Sequence, residues 1–175
     1  MKTSKITILV GTRKGAWLFH GDTARRRWRA DGPHFLGHII HHLVMDPRDG
    51  KTLIAAVSTG HLGPTIFRSA DRGKTWQEAK QPPAFPKLPD GQLDANGLPG
   101  RTVKHTFWLT PGHVTQPGVW FAGTSPQAIF RTDDGGDTWQ LLPGLHDNAQ
   151  YRGWMGGEQD GTPDGPKLHS IIVDP

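Results

Sequence analysis

The apolar positions of this chain fall in short alternating runs that return in a fixed order. Two of them, TIFRS at 65–69 and AIFRT at 128–132, lead into the matching stretches SADRGKTW at 69–76 and TDDGGDTW at 132–139. Position by position these pair Ser69 with Thr132, Asp71 with Asp134, Gly73 with Gly136, Thr75 with Thr138 and Trp76 with Trp139. The residue types suit a hairpin tip. A carboxylate can accept turn N–H groups, glycine takes a positive φ, and Thr-Trp restarts the strand. The tryptophan is large enough to fill the gap between one sheet and the next. All ten positions are therefore expected to be structural.

The repeat extends beyond the turns. HHLVMDP at 41–47, HTFWLTP at 105–111 and HSIIVDP at 169–175 share a leading His and a closing Pro, and their leading residues lie 64 apart. Between them stand the apolar runs LIAAVST at 53–59 and VWFAGT at 119–124. Each unit thus reads as strand A (His to Pro), strand B (ending in Thr), strand C, the turn, and strand D opening on Trp. An eroded copy comes first, with ITILVGT at 6–12 as strand B, GAWLF at 15–19 as strand C and Trp28 opening strand D. Phe19 precedes Trp28 by nine residues, as Phe67 precedes Trp76 and Phe130 precedes Trp139.

Four short strands in each unit of roughly 40–60 residues predict an all-β fold, a β-propeller of four-stranded antiparallel blades. The whole of 1–175 reads as one domain. Strands B to D of a first blade take 1–32, a second blade 38–81, a third blade 102–143, and strand A of a fourth 168–175. The stretches 82–101 and 143–167, rich in Pro and Gly and without periodicity, read as long loops. About three blades do not close a ring of roughly 4–8. The expectation is an incomplete ring, completed by C-terminal blades of a longer protein.

With the opening VGTRKGAWLF and the stretch STGHLGPTIFRSADRGKTW, the two turns resemble the Asp-box, or BNR-repeat, proteins. That superfamily holds sialidases, sortilin-type ectodomains and xyloglucanase-type glycosidases. The likeness is greatest to the bacterial sialidase-like group described as exo-α-sialidases or BNR-repeat glycosyl hydrolases, and it covers essentially the whole chain. It implies a glycosidase acting at the rim of a central channel. The alternative is a non-catalytic propeller that binds a protein or glycan partner at the same rim.

In such a fold the loops leading into strand A and the B–C loops share one rim. The candidates there are His41, His105 and His169 at strand A, Arg101 before it, and Arg13 and His61 in the B–C loops. Imidazoles and guanidinium groups of this kind suit an anionic sugar. For His41, His105 and His169 the competing reading is structural, with each bonding the neighbouring blade. Sialidases use an arginine triad, a Tyr–Glu nucleophile pair and an Asp acid. Here the segment that carries their first arginine has no counterpart. Tyr151, the only tyrosine, together with Glu158 and Asp160 are the catalytic candidates in the loop at 143–167.

Composition narrows the classes further. Without cysteine there is neither a disulfide nor a thiolate, which fits a cytoplasmic location. No apolar run approaches the roughly 18 residues that span a membrane, so no membrane partner is expected. The net charge is +4, and the most basic run is Arg25, Arg26 and Arg27, next to Trp28 and Arg29. A solvated edge strand guarded by charge explains that run better than a nucleic-acid patch does. The His spacing is unlike that of zinc sites, and no metal or other cofactor is expected.

Overall fold

A computed structural model describes residues 6–93, 99–146, 148, 150 and 167–174. It contains three antiparallel sheets and almost no helix. Sheet 1 is three-stranded, β1 (Ile6–Thr12), β2 (Gly15–Gly21) and β3 (Trp28–His34) in sequence order. Sheet 2 runs β4 (Ile39–Met45), β5 (Leu53–Thr59), β6 (Gly63–Ser69) and β7 (Gln77–Glu78). Sheet 3 runs β8 (His105–Pro111), β9 (Trp120–Ser125), β10 (Ile129–Thr132) and β11 (Gln140–Leu141). A single helical turn, α1 (Pro143–His146), follows. These are blades of a β-propeller, the fold class that the repeat predicts.

The sheets pack face to face and meet along their first strands, β1 on β4 and β4 on β8. Two hydrophobic cores result. Ala16, Leu9 and Phe35 of the first sheet and its exit meet Ile40, Leu43, Ala55, Val57, Phe67 and Trp76. Ile54, Ala56, Ile66 and Ala79 of the second meet Leu109, Trp120, Ala122, Phe130 and Trp139. Each turn tryptophan therefore reaches the sheet before its own. Phe35 links the first pair of sheets, with ring centroids 4.9 Å from Trp76 and 4.8 Å from Phe67.

The two Asp–Gly–Thr turns close in the same way. Ser69 Oγ donates to Asp71 Oδ1 at 2.7 Å and accepts the Gly73 N–H at 2.8 Å. Thr132 Oγ1 donates to Asp134 at 2.7 Å and accepts from Gly136 at 3.1 Å. Thr75 and Thr138 each give both backbone N–H and hydroxyl to the aspartate. Gly73 and Gly136 hold φ of 87° and 98°. A Cβ there would meet Leu18 at 3.2 Å and Ile54 at 3.0 Å, in the sheet behind.

Three features differ from the sequence expectation. Residues 82–103 are more than a connector, because Phe85 and Val103 are buried in the second core and Phe85 meets Phe130 edge-on at 5.7 Å. Residues 167–174 form no regular strand. Their Leu168 N–H donates to the Thr124 carbonyl of sheet 3 at 3.0 Å, and among the described residues no ladder forms.

The third difference is register. Ser69 sits opposite Leu53, which sits opposite Met45, while Thr132 sits opposite Trp120, which sits opposite Pro111. The first strands are thus offset by 66 residues, and β-bulges at 40–42 and 106–108 coincide on that offset. The counterpart of His41 is Phe107, and that of His105 is Ile39. A further correspondence places His169 with His41. Gly11 in a Val-Gly-Thr run faces Ile40, and Gly123 in an Ala-Gly-Thr run faces Leu168.

Candidate functional site

The bulge in β4 sets two consecutive side chains on one side. His41 and His42 both face β8, and the bulge in β8 likewise turns Phe107 and Trp108 toward residues 167–174. The rings form a column across the first strands. His41 lies 4.6 Å from His105 and 6.0 Å from Phe107, and Phe107 lies 5.6 Å from His169. The Lys167 ammonium stands 5.2 Å over Phe107. His41 Nε2 is 3.3 Å from the Ser58 hydroxyl, which fixes that ring against its own sheet.

Beside this column runs a second one. His42 stacks on Trp108 at 4.4 Å and 22°, and its Nδ1 accepts the Leu109 N–H at 2.8 Å. Burial pushes the His42 imidazole below its ordinary pKa. The proton therefore sits on Nε2 of a neutral ring. Trp108 Nε1 donates onward to the Ile171 carbonyl at 3.3 Å. This second column joins the blades. The first column keeps His41, His105 and Phe107 half-buried and His169 exposed.

The remaining rim candidates divide. Arg13 in the β1–β2 turn and His61 in the β5–β6 turn are exposed at the end of their sheets where β4 and β8 begin. Arg101 instead packs its guanidinium over the Phe85 ring at 4.3 Å, as a cover for the outer core. Tyr151, Glu158 and Asp160 lie outside the described residues. Among the described residues, no three His, Asp or Glu side chains are grouped to hold a metal ion.

The sequence reading named neither Phe107 nor Trp108 as a rim residue. The signal was the pair of adjacent rings, His-His at 41–42 and Phe-Trp at 107–108, which only a bulge turns to one face.

The opposite end of sheets 2 and 3 is built from salt bridges. Arg48, in the β4–β5 turn, holds both oxygens of Asp46 at 2.7–2.8 Å. Its third nitrogen donates to the Gln116 and Val119 carbonyls of the β8–β9 connection at 2.8 and 3.2 Å. Beside it opens a cavity of about 450 Å³, lined by Asp49, Arg68, Thr75, Gln77 and Trp120 among others. In the turn of sheet 2, the Asp71 carboxyl, bonded by Thr75 and Ser69, is held down at about 2. Burial opposes ionisation of Asp134, yet the bonds from Thr138 and Thr132 hold it well below the usual carboxylate range.

No family model matches the chain. It is 29% identical over 109 residues to a xyloglucanase of Paenibacillus sp., covering 58% of this chain and 10% of that protein. Over the same length it is 28% identical to a xyloglucanase of Acetivibrio thermocellus, covering 58% of this chain and 12% of the relative. It therefore spans about a tenth of the length of these curated relatives. Among solved structures it is similar to YCF48 bound to D1 peptide, with 18% identity, a TM-score of 0.44, and cover of 81% and 41% of the two chains. It is also similar to the GH74 xyloglucanase of Xanthomonas campestris, with 18% identity, a TM-score of 0.48, and cover of 73% and 19%. The relationship these similarities support is to β-propellers of the glycoside-hydrolase kind, and those named are not sialidases.

Proposed function

We propose that these blades belong to a carbohydrate-binding propeller of glycoside-hydrolase type, with the glycan lying along the first ring column. The observation that carries this reading is the chain of rings His41, His105, Phe107 and His169 running from β4 across β8 to the segment 167–174. Aromatic faces offer apolar contact to the C–H face of a sugar, and imidazole nitrogens offer hydrogen bonds to its hydroxyls. Similarity to xyloglucanases over 58% of the chain agrees with a polysaccharide ligand. A sialidase-like preference for an anionic sugar would draw on Lys167 over Phe107 and on Arg13 at the same end.

The reading concerns binding; the catalytic candidates Tyr151, Glu158 and Asp160 lie outside the described residues. Affinity electrophoresis tests it, with the chain run through gels containing xyloglucan and, separately, titrated with sialyllactose. Retardation by xyloglucan that is lost in His41→Ala and His105→Ala supports a neutral-glycan site. Binding of sialyllactose alone, lost in the same variants, supports the anionic one. Binding of neither, or binding indifferent to both substitutions, overturns the reading.

A further inference from the structure

The cavity beside Arg48 is walled by the strands and turns of sheets 2 and 3, at the end opposite the ring column. Most of the polar groups that line it are already committed. Arg48 is held by Asp46 and by the Gln116 and Val119 carbonyls. Asp49 accepts the N–H groups of Lys51 and Thr52 and the Thr52 hydroxyl. Ser69 and Thr75 both donate to Asp71. Arg68 stands apart. Its guanidinium has five N–H donors, and its bonds to the Asp134 carbonyl and the Gln77 side-chain oxygen are both long, at 3.4 Å. The Gln77 amide nitrogen beside it is a further donor. What the cavity offers is therefore donors that lack a good acceptor.

The same place in sheet 1 shows which acceptor fits. Phe19 faces Ala30 and Leu18 faces Asp31, as Phe67 faces Glu78 and Ile66 bonds the Ala79 N–H. In that register His20 matches Arg68, Arg29 matches Gln77 and Asp31 matches Ala79. The Asp31 carboxylate stands 3.6 Å from His20 Nε2 and 4.0 Å from Arg29 Nη1. Sheet 2 keeps the two donor positions but carries only the methyl group of Ala79 where sheet 1 carries the carboxylate.

We propose that this cavity binds a small carboxylate with an apolar body, the carboxylate forked on Arg68 and the body against Val114 and Pro117. A guanidinium and a carboxylate make two parallel charge-assisted bonds, shorter and stronger than the two that Arg68 makes within the protein. Val114, 68% exposed, supplies apolar surface for the ligand to cover. A volume of about 450 Å³ lies within the range of small-molecule sites. The site is separate from the proposed glycan site and does not depend on it.

Titration of the isotope-labelled chain with benzoate, followed on the Arg68 Nε–H and Gln77 side-chain amide signals, tests the proposal. Benzoate shifts both signals saturably. Benzamide, which lacks the charge, and acetate, which lacks the body, bind at least about tenfold more weakly. Arg68→Met keeps the stem without the fork and weakens benzoate by about tenfold or more, read on Gln77. Val114→Asp sets a like charge at an exposed position of the lining and weakens it too, and this variant decides the case if Arg68→Met loses its cooperative melt. No saturable shift in the millimolar range overturns the proposal. So does benzoate binding that benzamide or acetate equals, or that neither substitution alters.

Discussion

The Nδ1 atom of His42 accepts a hydrogen bond 2.8 Å long from the backbone N–H of Leu109, one sheet away. The bond requires a neutral ring, and burial lowers the pKa of that ring. In the unfolded chain the same imidazole titrates near 6.5, so the unfolded state takes up its proton first as pH falls. The His42 contribution is therefore fully present above about pH 6.5 and declines below it. Urea midpoints at pH 7.5 and 5.5 should fall more for the wild type than for His42→Gln, whose amide oxygen still accepts but does not titrate. Equal falls would refute the assignment.

The turn carboxylates act in a lower window. Asp71 is held at about 2 by Thr75 and Ser69, against about 3.9 in an unfolded chain. A carboxylate with a depressed pKa stabilises above its unfolded value, and that contribution is lost as pH falls from about 3.9 toward 2. Asp71→Asn should flatten the acid limb of a stability–pH curve and leave its slope above pH 5 unchanged. A variant that unfolds along the wild-type acid limb would contradict this.

Arg48 joins sheets 2 and 3 through charge as well as packing. With Asp46 at 9% and Arg48 at 11% side-chain exposure, the pair is nearly dry. Removing one partner strands the other, and Arg48→Ala is expected to lower stability by about 3–5 kcal/mol. Asp46→Ala/Arg48→Ala should cost less than the sum of the single changes, since no lone charge then stays buried. Additive losses in a urea double-mutant cycle would show that the two groups act separately.

The first turn shows what the loss of glycine does. Arg25 takes the place of Gly73 and Gly136, with φ of 58°, and its carbonyl accepts Trp28 Nε1 as that of Gly136 accepts Trp139 Nε1. An L-residue in that conformation carries strain of about 1–2 kcal/mol. Arg25→Gly is expected to raise stability by up to about 1 kcal/mol, part of the relief being offset by glycine's greater entropy when unfolded. A lower melting temperature for Arg25→Gly would refute this.

Much of this architecture was legible in the sequence, and the reasons are physical. A turn that needs a carboxylate, a positive-φ residue and a tryptophan at fixed offsets leaves a pattern of residue types, so Asp71, Gly73 and Trp76 announce their counterparts Asp134, Gly136 and Trp139. First-strand register left no such mark. The shared His and Pro suggest an offset of 64 between 41 and 105, whereas hydrogen bonding and the bulges set it at 66, with Phe107 in the place of His41. A hydrophobic pattern cannot reveal a bulge, because the extra residue changes which side chains share a face only after the strands have paired. Arg48 was equally hidden, since its carbonyl partners Gln116 and Val119 carry no side-chain signal.

The proposed glycan site lies at the end of the sheets where β4 and β8 begin, away from the cavity beside Arg48. Backbone amide chemical shifts, followed while xyloglucan oligosaccharide is titrated into the labelled chain, test this most directly. The account predicts that the largest changes fall on His41, His105, Phe107 and His169, with Asp49, Arg68 and Trp120 unmoved. Changes concentrated on that second group, or an unchanged spectrum at saturating glycan, would contradict it.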